Sequence, residues 1–416
     1  MHKWLISAVA AGALMAGGTA HANDTIKIGL LVPQEGVFTD PGDDSIRLFR
    51  MALDEHGNEV AGKKIEWVIG PSDATPDTAV RQARRLFEQE EVDFIIGPLS
   101  GSEGVVLRDY AKTVPHKTII NGTSAAQETT WVDPAPNFFR FNTEGAQWGY
   151  GLGSYVFNEK GWSRVATIAA DYSFGYTNFL GFALDFCAAG GEIVERYWTP
   201  LGNSDFASVI AALPYDIDAI YLGLGATDAL NFLNQYEQAG GDHNLIGGSI
   251  LADQSVLSAR GRAKQLLIGT PMSGSQADDW DDPKWLDFVQ RYRDAYPEGE
   301  RYPSPSLYAT NYYNATIAAL QALEAIDGEL DDDQANFHAA LSEVVLEAPN
   351  GVVRLDENRQ AIGSTFITEV REAEDGSLYN HFVAKFDDVT QTLGLSPEEF
   401  AAIGLPGRDT PDCSAL

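Results

Sequence analysis

The sequence predicts an α/β protein built as two lobes. Strand-like apolar runs alternate with amphipathic helical stretches, which argues for parallel sheets covered by helices. The alternation runs through twice, with a second set starting after about residue 142. At 416 residues the chain also exceeds one ordinary domain of roughly 150.

The first residues read as a secretory leader. A basic start (His2, Lys3) leads into an apolar stretch from Trp4 to Ala16, then to the small-residue exit Ala20-His21-Ala22, an A-x-A cleavage site. The apolar stretch is too short to span a bilayer, which needs about 20 residues. No Cys follows the cleavage point, so no lipid anchor is expected. The mature protein is expected to be exported, soluble and to start near Asn23.

Thr25 to Pro33 is a buried opening strand running into a loop. Ser45 to His56 reads as a helix whose apolar face includes Ile46, Phe49, Met51, Ala52 and Leu53. Lys64 to Ile69 is a second strand. Thr75-Pro76-Asp77 begins a helix, with Pro at an early position where its missing N–H costs little. Asp93 to Pro98 is a third strand with its stop, and Lys117 to Ile120 is a fourth.

In the second set, Arg164 to Ala169 is a strand and Thr177 to Ala189 a helix. Glu192-Ile193-Val194 opens a strand. Ser204 and Asp205 are N-cap candidates for a short helix running to about Leu213. Asp218 to Leu222 is a strand, and Asp228 to Ala239 is a helix ending at the C-cap signal Gly240-Gly241. Leu245-Ile246-Gly247 and Leu266 to Gly269 read as further strands. Helices over Pro283 to Ala295, Ser306 to Ala325 and Asp333 to Leu341 follow. Gly351 to Leu355 and Ser364 to Val370 flank the polar turn 356–360 as a late antiparallel hairpin. No linker or low-complexity segment separates the sets.

The formal charge is −32. Such a chain is repelled by phosphate backbones, so no nucleic-acid partner is expected. The runs 278–282 and 331–333 fit a solvated acidic shell. Neither has the Gly and distal Glu of a calcium loop. The seven histidines form no helical pair and no Cys/His metal spacing, so no metal is expected. The two cysteines, Cys187 and Cys413, sit in an export context where a disulfide is chemically open to them. The sequence leaves open whether they meet.

Several stretches, in this order, resemble one family. They are Ile28-Gly29-Leu30-Leu31, the turn Ile95 to Ser102, Asp171-Tyr172-Ser173-Phe174-Gly175, Asp218 to Tyr221, Tyr312 to Ala315, and the Gly351 hairpin with Asp356-Glu357-Asn358. The chain resembles periplasmic solute-binding proteins of the leucine/isoleucine/valine type, the receptors of ABC importers. The resemblance implies two Rossmann-like lobes joined by three crossings, with the ligand cleft between them. It implies lobe one at 23–142 and 272–350, lobe two at 143–271 and 351–385, and a C-terminal extension at 386–416 after the leader 1–22. It also implies a monomeric periplasmic receptor that passes a small solute to ABC permease subunits, without catalysis or cofactor.

Ligands of open parallel sheets bind beyond the carboxyl ends of the strands. Two such edges facing each other, as the resemblance implies, make a cleft that closes by hinge motion. The Pro98 to Ser102 turn starts a helix, whose free N–H groups suit an anion. Ser100 and Ser102 add hydroxyls, and Gly101 lets the backbone approach. Thr123 and Ser124 follow the next strand. These residues also read as ordinary N-caps; the resemblance favours a ligand shelf. From lobe two the family pattern places Tyr172, Phe174, Leu224, Gly225, Ser249 and Asp253. Tyr308 and Tyr312 reach from the returning lobe-one helix, core packing being the competing reading.

The chain departs from the amino-acid pattern in three places. The family's acidic partner for a ligand ammonium falls on Ser249, its head-group Thr falls on Ala125, and Phe174 lacks a hydroxyl. A buried unpaired ammonium costs roughly several kcal/mol. Relatives that carry aromatic acids or small amides resemble this chain at Asp171-Tyr172 and at Thr199 to Phe206, and that resemblance makes a small carboxylate or aromatic acid the leading ligand class. A branched-chain or other amino acid, with Asp253 or another carboxylate as partner, stays open, and so does a two-lobed sensor for a signalling partner. No enzyme is expected: Gly122 to Ala126 lacks the last Gly of G-x-S-x-G, and Gly97 to Gly104 lacks the Lys-Ser/Thr of a phosphate loop.

Overall fold

The computed structural model describes residues 25–251, 253–331 and 333–413. The expected leader 1–22 and the start near Asn23 lie outside the described residues. Two sheets organise the chain. The first has six strands in the order Glu59–Val60, Lys63–Ser72, Thr25–Pro33, Phe94–Ile96, Thr118–Ile120, Phe138–Phe139. The opening strand is central and parallel to both neighbours, with Ile28 beside Trp67 on one side and Phe94 on the other. Its apolar run is nearly continuous because both faces are covered. Ile28, Leu30 and Val32 face helices Thr39–Glu55 and Leu307–Ala325. Leu31 faces Pro76–Glu88 and Gly101–Thr113. One strand with period two thus feeds two cores.

The second sheet has Arg164–Ala170 between Glu192–Thr199 and Ala219–Gly223, continuing in parallel through Asn244–Gly247 to Pro271–Gly274. Helix Ser173–Ala188 covers one face through Phe179, Phe182 and Phe186. Ala226–Gln238 covers the other through Phe232, Leu233 and Tyr236. The antiparallel part is larger than the hairpin expected. Gly351–Leu355 pairs with Ala361–Glu372, which pairs with both Pro271–Gly274 and Leu378–Val389.

Several expectations need correction. Leu266 to Gly269 is not a strand. Ala263–Leu267 is a 3₁₀ turn that buries Leu267 and leaves Ile268 44% exposed. Gly269, at φ +83°, then redirects the chain into the real strand Pro271–Gly274. A short apolar run cannot by itself separate these two conformations. The helices begin earlier than expected, at Thr39 and Ser173, and the third late helix begins later, at Ala335. Pro271–Gly274 belongs to the second sheet, so a first-lobe segment starting at 272 starts too early. Strand Leu378–Val389 likewise runs past the expected end of lobe two at 385. Leu346–Ala348 pairs with Gly351–Leu355, yet Leu346 and Val353 pack into the first core, so this hairpin joins both lobes.

Residues 390–413 form an arm against the second lobe and its neighbour. Cys187 and Cys413 are disulfide-bonded, which answers the question left open by the sequence. Arg408 binds the Asp171 carboxylate through Nε (2.9 Å) and a second guanidinium nitrogen. Phe400 sits edge-on to Trp131, with ring centres 5.1 Å apart, and beside Leu180.

Where the chain crosses from the first sheet to the second, Arg140 is fully buried. Its guanidinium donates to Ala126 O (2.7 Å), Thr130 Oγ1 (2.5 Å) and Gln360 Oε1. Gln360 Nε2 donates in turn to Asn142 O (3.2 Å) and Gln147 Oε1 (2.9 Å). Burial pulls the Arg140 pKa down to about 10, which leaves it charged at neutral pH. Arg140→Leu would take the charged donor from three buried oxygens, leaving Gln360 Oε1 with Thr130 Oγ1 (2.9 Å) and Thr130 Oγ1 with Gln391 Nε2 (3.1 Å), and a loss of about 3 kcal/mol in urea unfolding is expected. Cys413→Ser is expected to cost about 2–5 kcal/mol and to speed trypsin cleavage at Arg408. Unchanged stability and proteolysis would mean that the arm is held by packing alone.

Candidate functional site

The carboxyl ends of both sheets face one chamber. From the first lobe, strand Phe94–Ile96 leads to Leu99, Ser100 and Gly101, and strand Thr118–Ile120 leads to Thr123 and Ala125. From the second, strand Arg164–Ala170 leads to Tyr172 and Phe174, and strand Asn244–Gly247 leads to Ile250. Phe38, Trp148 and Tyr308 complete the wall. The rings form a chain across it: Phe38 to Tyr308 at 6.0 Å, Trp148 to Phe174 at 5.8 Å, Phe174 to Tyr172 at 5.9 Å. The lobes approach closely at Gly101. A Cβ there would lie 2.8 Å from Phe174 Cβ, so only glycine fits without displacement.

The polar groups are few. Ser100 is the N-cap of helix Gly101–Thr113, and its N–H donates to Glu103 Oε2 at 3.0 Å in a capping box. The amino end of this helix carries partial positive charge. Thr123 Oγ1 accepts from Asn311 Nδ2 at 2.8 Å, which leaves its own hydroxyl hydrogen to donate. Among the described residues, no Lys, Arg, His, Asp or Glu lines the chamber.

The chamber therefore brings together Ser100, Gly101, Thr123, Tyr172, Phe174 and Tyr308 among the residues singled out from sequence. Others lie elsewhere. Ser102 bonds Ser100 through the hydroxyls at 3.2 Å from outside the wall. Ser124 is buried behind it, its Oγ set against Gly104. Leu224 is in the second core, and Gly225 leaves room for Ile250. Tyr312 is a core pillar beneath Gly122, its hydroxyl donating to Leu31 O at 2.8 Å. Ser249 and Asp253 line a neighbouring cavity. Asp253 is occupied there by the backbone N–H groups of Ser255 (3.0 Å) and Leu307 (2.9 Å). Sequence reasoning missed Phe38, Trp148 and Ile250. Ile250 is one residue from Ser249, and Phe38 follows the loop after Pro33, so both had a positional signal. Trp148 had none.

Residues 25–377 match a family model described as periplasmic binding protein. The Leu/Ile/Val-binding protein homolog 6 of Brucella melitensis is 26% identical over 402 residues, covering 93% of this chain and 97% of the relative. A solute binding protein of an ABC transporter from Rhodopseudomonas palustris BisB5, solved in complex with 3,4-dihydroxybenzoic acid, superposes with a TM-score of 0.80. It is 27% identical and covers 90% of this chain and 99% of its own. An ABC transporter substrate-binding protein from Sphaerobacter thermophilus gives 0.77 at 27% identity, over 88% and 98% of the two chains. The matched proteins bind substrates and are not enzymes.

Two carboxyls near the chamber and the crossing respond to pH. Burial pushes Glu103 from 4.5 up to about 7, and Glu144 equally. A carboxyl with a raised folded pKa holds its proton longer in the fold than in the unfolded chain. Its contribution to stability is full below about 4.5 and is lost as pH rises to about 7. The melting temperature is expected to fall between pH 5 and pH 8, and Glu103→Gln to flatten part of that slope in calorimetry. A slope that Glu103→Gln does not change would argue against this assignment.

Proposed function

Since the chain belongs to the periplasmic binding protein family, we propose that it captures a small aromatic carboxylate for an ABC importer. The chamber lining carries this reading. It is a belt of five aromatic side chains around Ser100 and Thr123 at a helix amino end, with no charged side chain in the wall. A carboxylate there accepts from the two hydroxyls and is stabilised by the helix end. The rings enclose an aromatic body, offset or edge-on. An α-ammonium would have no carboxylate to meet it in this wall, and leaving it buried and unpaired is expensive. The dihydroxybenzoic acid held by the Rhodopseudomonas relative supports the same class.

As folded, the chamber keeps only ≈ 10 Å³ of free space, about one water. Entry of a solute therefore requires the lobes to part, and recognition is coupled to closure. The permease partner follows from the family. Among the described residues no helix is long and apolar enough to cross a membrane. Export through the 1–22 leader and a monomer in the periplasm complete the proposal. The net charge of −32 argues against a nucleic-acid partner.

A calorimetric and thermal-shift screen tests it. Benzoate and hydroxybenzoates are expected to stabilise the protein by about 2.7 kcal/mol at a hundredfold excess over Kd. Thr123→Val is expected to weaken them about tenfold. Tight binding of leucine, isoleucine or valine, with none of aromatic acids, would replace this reading with an amino-acid receptor.

A further inference from the structure

A second cavity lies beside the chamber, offset by one residue on two walls. Ser249 lines it where Ile250 lines the chamber, and Leu307 lines it where Tyr308 does. Strand Pro271–Gly274 and the amino end of helix Leu307–Ala325 bound it. Its polar wall is rich in oxygens, with the side chains of Thr368 and Asn380 also in it. The amide nitrogen of Gln254 is spent on Asp278 Oδ2 (2.8 Å) and that of Gln276 on Pro305 O (2.8 Å). Both amide oxygens are left without a hydrogen-bond partner, as are the hydroxyls of Ser249 and Ser273. Gln254 and Ser273 are each 2% exposed and Ser249 5%, so water outside does not serve them.

Two carboxylates complete the wall, and among the described residues no Lys, Arg or His lines it. Asp253 receives the N–H groups of Ser255 and Leu307, and Asp278 Oδ2 receives Gln254 Nε2 and Asn380 N (2.7 Å). Unmet buried oxygens and uncompensated charge are costly together. The cavity volume is ≈ 20 Å³, room for one ion or water and too little for an organic solute. A water has two hydrogens for this set and no charge.

We propose that this cavity binds one calcium ion through the oxygens of Asp253, Asp278, Gln254, Gln276, Ser249 and Ser273. Hard cations take carboxylate, amide and hydroxyl oxygens, and a divalent one balances both carboxylates. Two charged ligands place the affinity with extracellular modules, at about 10⁻⁴–10⁻³ M. The set comes from separate chain segments, which is why no calcium-loop spacing marks it. The site stands apart from the aromatic chamber and does not depend on which solute is carried.

Titration of the chelator-stripped full chain with CaCl₂ in 0.15 M KCl, by calorimetry and thermal shift, tests it. One saturable ion per chain is expected, with a rise in melting temperature that MgCl₂ and NaCl do not reproduce. Asp278→Asn is expected to weaken binding at least tenfold. Ser273→Ala deletes only an oxygen with no partner, so it folds whatever Asp278→Asn does, and is expected to weaken binding about threefold. Glu298→Gln, on the exposed surface, changes nothing. Absence of saturable binding overturns the proposal, and so does binding that Ser273→Ala leaves unaltered, which would be diffuse attraction to an acidic surface.

Discussion

Arg140 carries its charge where water does not reach, and the way that charge is met decides where the chamber wall stands. Its hydrogen bonds hold Ala126 and Thr130, just beyond the loop that presents Thr123. Asn142, two residues further into the crossing, takes Asn121 Nδ2 at 2.6 Å on its own Oδ1. The loop 121–126 is therefore hung from the segment that leads into the second lobe. Gln360 returns from the late hairpin to the same guanidinium, so two strands of the hinge share one polar knot. A knot of this kind is satisfied only in one arrangement, and partial satisfaction is worse than none. The wall that carries Thr123 is thereby tied to the segment that joins the lobes.

The parallel sheets were legible because their strands are apolar on both faces and their helices carry clear stop and start residues. Ile28 to Val32 and Ala219 to Gly223 could hardly be anything else. The strand Leu378–Val389 was not legible. It is largely half-buried along its length and reads as mixed polar sequence, and only its pairing with Ala361–Glu372 makes it a strand. In the site, Ser100, Gly101 and Thr123 could be found because strand ends and N-caps have a sequence signature. Residues such as Leu224 and Tyr312 failed for a different reason. Side-chain direction alternates along a strand end and rotates round a helix. One step in sequence thus separates Tyr308 in the chamber from Leu307 in the next cavity. Trp148 reaches the chamber from a short helix after the crossing, a position that only the closed tertiary structure creates.

The chamber is electrically quiet inside a strongly acidic molecule. A chain of charge −32 repels an anion at long range, so encounter gains nothing from steering. Selection must then come from short-range groups: two hydroxyls, a helix end and ring faces. Screening at physiological salt, with a Debye length of about 8 Å, reduces the long-range penalty while leaving the buried contacts intact. The acidic shell and an anionic solute are compatible on these terms.

The C-terminal arm adds a mechanical term to this balance. Phe400 is wedged between Trp131 of the first lobe and Leu180 of the second, while Cys413 is bonded to the second-lobe helix. Any rotation that parts Trp131 from that helix uncovers an aromatic ring to water. Buried Phe is worth roughly 1.5–3 kcal/mol, so the arm opposes any such rotation. The observed affinity of a solute scales with the fraction of molecules already competent to hold it. Where such a rotation opens the chamber, the arm raises that fraction without touching the solute.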